Sequence, residues 1–384
     1  MGTSVLEAVK KIGPKVAARS GEIEQNRGLP IDVVELIKPT GAFRLYVPDD
    51  LHGPGVTAWE SLEVIEELAY HDGAAGWCSM IGSTTSLLSS SMADPYAEEI
   101  FGTPDAIGGG FAMPNGRARP VNGGLRVTGR WAWGSGTRHC TWIGGGCLIV
   151  DEDGKPAPRS DGLVAPFVFF HPDDVEFIDN WDVSGLCGTG SGDYQVTDVF
   201  VPEGRWAQVG LAKPVRDNSL SRFSFFGLFG CAVAASAMGM GRRAIDELVA
   251  LAEAKIPQGS SKSLRERTTV QADVAVAEAK LASAWAFMHS TISGSWDTAE
   301  AGGLPTVEQK RQLRLSATHA TQTAAEVGEL MYKAGGGAAI YKTSPLQRCF
   351  RDVFVATQHA MVAPRIFETC GRIRLGLETE SRTL

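Results

Sequence analysis

Among the 384 residues of this chain, four short segments carry side chains that could do chemistry. The first holds His359, seven residues past Asp352 in the pair Arg351-Asp352. An imidazole has an ordinary pKa of about 6.5 and is readily tuned to give or take a proton near neutrality. Read without context, His359 is a satisfied histidine on a buried helix. The second segment is Gly129-Arg130-Trp131-Ala132-Trp133-Gly134-Ser135-Gly136. It sets a short hydroxyl, Ser135, beside a flat aromatic side chain, Trp133. Its plain alternative is a Ser-Gly turn after a strand, with an ordinary core tryptophan. The third, Gly335-Gly336-Gly337, would expose backbone N–H groups and let a cofactor come close; a helix C-cap and loop would use the same glycines. The fourth sets Lys262 between Ser261 and Ser263. A cation among hydroxyls suits a phosphate, and a solvated loop accounts for it equally well.

Other chemistries find little support. The histidines (His52, His71, His139, His171, His289, His319 and His359) include no H-x-x-x-H pair, and nearby carboxylates complete no ligand set, so no metal is expected. Gly134-Ser135-Gly136 lacks the spacing of a hydrolase nucleophile elbow. Seven cysteines without a C-x-x-C indicate neither a disulfide framework nor a zinc ribbon, and a reduced, cytoplasmic protein is expected. The formal net charge of -8 comes with interleaved acids and bases. With no Lys/Arg run, neither nucleic acid nor a polybasic membrane site is expected. No signal peptide is read at Met1–Lys11. No run of about 18 apolar residues is seen. The Ala/Gly-rich stretch Cys231–Gly241 comes nearest and reads as a buried helix.

The elements that must position these residues follow the order helices, strands, helices. We expect an N-terminal helical part over residues 1–105, a middle β part over 106–215 and a C-terminal helical bundle over 216–384. Leu62, Ile65, Leu68 and Ala69 share one helical face. Thr57 with Glu60 makes a capping box before them, and Ile31–Ile37 follows Pro30 as a short helix. In Leu125–Trp133 one face is mostly apolar while Arg126, Thr128 and Arg130 occupy the other, which predicts a half-buried strand. Tyr194–Val201 alternates likewise, and Val164–Phe170 reads as a more buried strand. Val121-Asn122-Gly123-Gly124 and Asp151-Glu152-Asp153-Gly154 suit hairpin turns. Four long helical runs are then predicted: Phe226–Lys255, Glu266–Ser293, Val307–Lys333 and Pro345–Arg372.

This order, with three motifs, resembles the acyl-CoA dehydrogenase superfamily. The Gly129–Gly136 segment is similar to the family's Gly-x-x-x-Trp-x-Ser/Thr strand, which ends beside the flavin. Gly185-Leu186-Cys187-Gly188-Thr189-Gly190-Ser191, running into Val199-Phe200-Val201-Pro202, resembles its Gly-x-Arg-Gly-Thr-x-Ser segment, with Cys187 replacing the arginine. Gly335-Gly336-Gly337 through Pro345-Leu346-Gln347-Arg348-Cys349-Phe350-Arg351-Asp352 resembles a signature that approaches the flavin of a neighbouring subunit. The implied fold is α+β: N-terminal helical domain, middle β-barrel-like sheet domain and C-terminal four-helix bundle, usually in a homotetramer.

Within that superfamily, many dehydrogenases place a glutamate eight residues after the aspartate, where this chain has Ala360. An Arg-Asp followed by histidine resembles instead the oxygenase components of two-component flavin monooxygenases. Ser135-Gly136-Thr137-Arg138-His139-Cys140-Thr141-Trp142 resembles that branch's Ser-Gly-x-x-His-Ala-x-Trp. Members hydroxylate phenols, oxidise thiophene sulfur or oxidise amino sugars at nitrogen. The implied activity is hydroxylation of a small, apolar aromatic or heteroaromatic substrate by O2 through a C4a-hydroperoxyflavin. Reduced FMN, with FAD as the alternative, would come from a separate NAD(P)H-dependent reductase, since no nicotinamide fingerprint occurs here. Ser135 would meet flavin N5 and His359 the peroxide side. Trp77, Trp133 and Met113 would line the cofactor, with Lys262, Gly336 and Gly337 contributing to its binding. Trp77, Thr84, Thr85 and Phe111 would form the substrate pocket. Thr85 stands where phenol hydroxylases carry a phenol-binding histidine, so a phenol is not the expected substrate. The competing readings are an acyl-CoA dehydrogenase or flavin oxidase, and a non-catalytic family member acting as a partner subunit.

Overall fold

Free N–H groups at helix starts must find acceptors, and short polar side chains supply them along this chain. In a computed structural model, residues 4–210, 214–380 and 384 are described. The first third is helical: α1 (Val5–Ala17), α2 (Ser20–Asn26), α3 (Ile31–Ile37), α4 (Ala58–His71), α5 (Gly73–Ser86) and α6 (Tyr96–Phe101). The expected Thr57–Glu60 capping box opens α4, and Asp72 caps α5 by accepting from Ala75 N at 2.9 Å. Leu62, Ile65, Leu68 and Ala69 are all buried. His71, in the last turn of α4, lies against Glu67, with Nε2 3.2 Å from Oε1.

Seven strands then form one sheet in the order β5-β6-β2-β1-β3-β4-β7. They are β1 (Gly108–Val121), β2 (Gly124–Trp131), β3 (Trp142–Ile149), β4 (Phe167–Phe170), β5 (Glu176–Ile178), β6 (Asp193–Pro202) and β7 (Trp206–Ala207). Alternation sorts β2 as predicted: Leu125, Val127 and Trp131 are buried, while Arg126 and Arg130 reach solvent. The Asn122-Gly123 turn joins β1 to β2, with Gly123 at φ 79°. The Asp151–Gly154 turn is closed by the Asp151 N–H donating to the Lys155 carbonyl at 2.9 Å, and the chains beyond it meet in an isolated Val150–Pro156 bridge. Val164, expected in a buried strand, is exposed, and β4 starts three residues later. Strand β1 runs parallel to β3 and shifts register between Phe111 and Gly116. A bulge of this kind bends a strand and re-aims its side chains, and Met113 lies within it, pointing to solvent.

The last stretch holds α7 (Ser219–Arg222), α8 (Phe225–Ala254), α9 (Thr268–Glu300), α10 (Val307–Gly335), α11 (Pro345–Ala356) and α12 (Arg365–Arg374). Helix α8 is long and apolar enough to cross a membrane, but most of that stretch is buried within the fold. Its small residues allow close approach: a Cβ at Gly239 would lie 2.2 Å from the Glu66 carbonyl of α4, and one at Gly230 3.5 Å from Ala317 of α10. The predicted fourth run, Pro345–Arg372, is two helices. Pro364 lacks an N–H and disfavours helical backbone before it, so the chain breaks over residues 357–364. His359 therefore sits in a turn rather than on a helix.

Candidate active site

Three segments distant in sequence meet at Trp77. Helix α5 buries this side chain, and its indole N–H donates to Ser135 Oγ at 3.2 Å. Ser135 is brought there by a sharp exit from β2, with Trp133 at φ 57°. A non-glycine residue in that region is strained, and such strain gathers at functional sites. On the other side of Trp77 lies His359, ring centroids 5.6 Å apart and edge to face. Phe229 of α8 packs against the same imidazole at 5.3 Å.

Ser135 is the first of several linked hydroxyls. Its Oγ lies 2.6 Å from Ser191 Oγ, which lies 2.6 Å from Thr189 Oγ1, and Thr189 donates to the Leu186 carbonyl at 2.8 Å. All three hydroxyl residues are buried. Phe229, Thr189 and Ser191 were not singled out as site residues from sequence. Thr189 and Ser191 lie inside the Gly185–Ser191 motif, which was a signal; nothing marks Phe229.

Burial pushes the His359 imidazole down to about 4, with the Arg314 guanidinium adding to the effect. Part of the residue reaches solvent, yet its ring is enclosed by Trp77 and Phe229, and desolvation of the ring governs. Met361 N–H donates to Nδ1 at 3.3 Å. The neutral ring then carries its proton on Nε2. His359 is thus a neutral hydrogen-bond donor at pH 7, a protonation state that the bare sequence left open. His139, also pushed down to about 4 by burial, packs on Phe43.

An apolar wall adjoins this group. Trp133 is 61% exposed and Met113 59%, a high share for side chains so large and apolar. Phe111 packs on Trp133 at 5.5 Å, and its N–H donates to Tyr194 Oη at 2.8 Å. Thr84 and Thr85 are buried at the end of α5. The Thr85 methyl faces Gly108, where a Cβ would sit 2.9 Å away. Thr84 donates to the Ile81 carbonyl at 3.2 Å, so its hydroxyl can only accept from elsewhere. Its exposed members, Trp133 and Met113, present an aromatic face and a thioether.

The remaining predicted cofactor residues lie elsewhere. Lys262 is exposed on the segment after α8. That segment adjoins the glycine run, since Lys255 Nζ donates to the Gly335 carbonyl at 2.8 Å. Gly336 has φ 55°, and a Cβ on Gly337 would meet nothing within 4 Å. Arg314, which donates to the Met361 carbonyl at 3.0 Å beside His359, lies on α10 with Gly335. At 1.5 Å per residue the two are about 30 Å apart along the helix. One flavin mononucleotide does not span that distance. Among the described residues, no hydrogen bond or ring contact joins Lys262, Gly336 or Gly337 to Ser135 or Trp77.

Behind the site lies a charged cluster. Asp352 accepts from Leu186 N at 2.6 Å, and burial, with Asp72 nearby, pushes its carboxyl up to about 7. Burial also raises the Asp72 carboxyl. Glu24 pairs with Arg348 and Arg351. The cluster ties α2, α5, α11 and the Leu186 turn together.

Residues 231–364 match the family described as acyl-CoA dehydrogenase, C-terminal domain. Over 95% of the chain, the sequence is 33% identical to an indole-3-acetate monooxygenase from Pseudomonas putida, covering 92% of that protein. It is 27% identical to the flavin-dependent monooxygenase oxygenase subunit HsaA from Rhodococcus jostii, over 95% of this chain and 96% of that one. A crystal structure of a 3-HSA hydroxylase from Rhodococcus superposes over 100% of both chains with a TM-score of 0.90 at 23% identity. The chain belongs to the acyl-CoA dehydrogenase superfamily, in its branch of flavin-dependent monooxygenase oxygenase components.

Proposed function

We propose that this oxygenase hydroxylates a small, apolar aromatic or heteroaromatic molecule, using reduced FMN delivered by a separate NAD(P)H-dependent reductase. The observation that carries the reading is the Trp77 junction, where one indole touches both the buried Ser135 hydroxyl and the neutral His359 ring. Bound reduced flavin supplies the electrons that activate O2. The chain's own part is to hold and shield it. Trp133 and Met113 back the ring, Ser135 meets its N5 edge, and His359 offers its Nε2 proton on the oxygen side. Trp77, Thr84, Thr85 and Phe111 line the substrate pocket with apolar faces and neutral hydroxyls. That lining suits an indole-like ring better than a phenolate, because no base occupies position 85.

Lys262, Gly336 and Gly337 serve the phosphate of a flavin held mainly by another copy of the chain. The separation of about 30 Å along α10 supports this assignment. It requires an assembly of several copies, and a cytoplasmic homotetramer of three-part subunits is the proposed form. The 255–265 segment lacks the Arg-x-x-Phe-Gly pattern of FAD-holding dehydrogenases, which favours FMN over FAD.

The test is single turnover of protein loaded with photoreduced FMN, mixed with 18O2 and a panel of indoles, phenols and thiophenes. One 18O atom in an indole-type product is the expected result. Quantitative hydrogen peroxide with every substrate, together with bleaching of the oxidised protein by acyl-CoA compounds, would return the chain to the dehydrogenases.

A further inference from the structure

The hydroxyl chain behind Ser135 has a fixed direction, and the direction has a consequence for the cofactor. An indole N–H can only donate and a carbonyl oxygen can only accept. Trp77 closes one end of the chain, donating to Ser135 Oγ at 3.2 Å. The Leu186 carbonyl closes the other, accepting from Thr189 at 2.8 Å. Each hydroxyl between them has one proton. Thr189 spends its proton on Leu186, so in the 2.6 Å contact with Ser191 it must accept. Ser191 therefore donates to Thr189, and in its own 2.6 Å contact with Ser135 it too must accept. Ser135 is left donating to Ser191 and accepting from Trp77. One lone pair remains, and no proton.

The acceptor end is itself anchored. Leu186, at φ 50°, is held by its N–H to Asp352 at 2.6 Å. A backbone carbonyl held this way has no rotor to turn, and reversing the chain would leave Thr189 Oγ1 and the Leu186 oxygen 2.8 Å apart with no proton between them.

We propose that Thr189 and Ser191 are positioning residues that make Ser135 an obligate acceptor toward flavin N5, so that the site selects the reduced cofactor over the oxidised one. This deepens the reading above and rests on the placement of Ser135 at N5. Reduced flavin bears a hydrogen on N5 and donates it to the free lone pair. Oxidised flavin presents an N5 lone pair instead, and two acceptors then face each other with no proton between them. A buried polar contact left unmade costs about 1–3 kcal/mol, which is about 5- to 150-fold in binding. A free serine rotor would not discriminate, since it could donate to one form and accept from the other.

The test is the ratio of dissociation constants for oxidised and dithionite-reduced FMN, measured anaerobically on the full-length protein. Wild type should favour reduced FMN. Ser191→Ala removes the acceptor that commits the Ser135 proton, and Thr189→Val frees Ser191 to donate back. In both variants the ratio should fall by about 5-fold or more. Thr189→Ser keeps the hydroxyl and should restore the wild-type ratio, which a general packing defect would not do. Ser135→Ala should abolish the preference. A ratio that changes in Ser135→Ala but not in Ser191→Ala or Thr189→Val overturns the relay alone. A ratio unchanged in all of them overturns the placement of Ser135 at N5. Failure of the wild type to bind FMN in either state overturns the oxygenase reading itself.

Discussion

Asp352→Asn should change how the stability of the protein depends on pH. The carboxyl is buried and its ordinary value of 3.8 is pushed up to about 7. Facing it are Asp72 from the start of α5, Glu24 from α2, Cys187 from the Leu186 turn, and Arg348 and Arg351 from its own helix. A folded-state pKa above the unfolded value means that the native state holds the extra proton. The associated stability is complete below about pH 4 and is lost as pH rises through about 7. At 1.36 kcal/mol per pH unit, the full loss is about 4 kcal/mol. Asparagine keeps an oxygen to accept from Leu186 N but cannot ionise. Urea unfolding of the flavin-free protein, at one fixed concentration and several pH values from 5 to 8.5, is the assay. The variant should match or fall slightly below wild type at pH 5 and exceed it by up to about 3 kcal/mol at pH 8.5, the part of the loss that falls between pH 5 and 7. Wild type alone would mislead, because His359 and His139 act oppositely. Their lowered pKa values make stability full above about 6.5 and lost as pH falls toward 4. The difference between the two proteins isolates the carboxylate. A difference that stays constant from pH 5 to 8.5 would refute the reasoning.

His359→Ala removes a neutral donor, so flavin binding should persist while hydrogen peroxide released per product rises about 10-fold, the worth of one hydrogen bond; an unchanged ratio removes His359 from the oxygen side. Because its imidazole is pushed down to about 4, the wild-type ratio should be flat between pH 6 and 8.5, and an inflection near 6.5 that vanishes in His359→Ala would contradict the neutral-donor assignment. Trp133→Ala should leave stability within about 0.5 kcal/mol, as for an exposed side chain, yet weaken reduced FMN about 10-fold through lost stacking; equal affinity would take Trp133 out of the cofactor wall. Gly110→Ala would set a Cβ 1.9 Å from the Gly144 carbonyl at φ 142°, and a lowered urea midpoint worth about 3 kcal/mol is expected; a midpoint equal to wild type would show that β1 and β3 can part there.

Much of the fold was legible because it is written in local patterns. Alternation along β2, the Thr57–Glu60 box, the Asn122-Gly123 turn and the apolar face of α4 each depend on residues a few positions apart. Three motifs, read in order, were enough to point to the superfamily and its flavin chemistry. What the linear pattern could not show was the break at residues 357–364, because apolar spacing continues across Pro364 while the backbone cannot. Nor could it show that Trp77 donates to a hydroxyl 58 residues away, or that the same indole packs against His359. Residue types give the number of protons and lone pairs. Which of them are spent depends on distances of a few tenths of an ångström between separate elements, and so the direction of the Ser135 hydroxyl is a tertiary property. The same holds for charge. Asp352 and His359 have ordinary pKa values in the chain, and only burial against α5, α8 and the Leu186 turn moves one up and the other down. The separation of Lys262 and Gly336 from Ser135 was equally hidden, because it is set by the length and parallel course of α8 and α10 rather than by any motif.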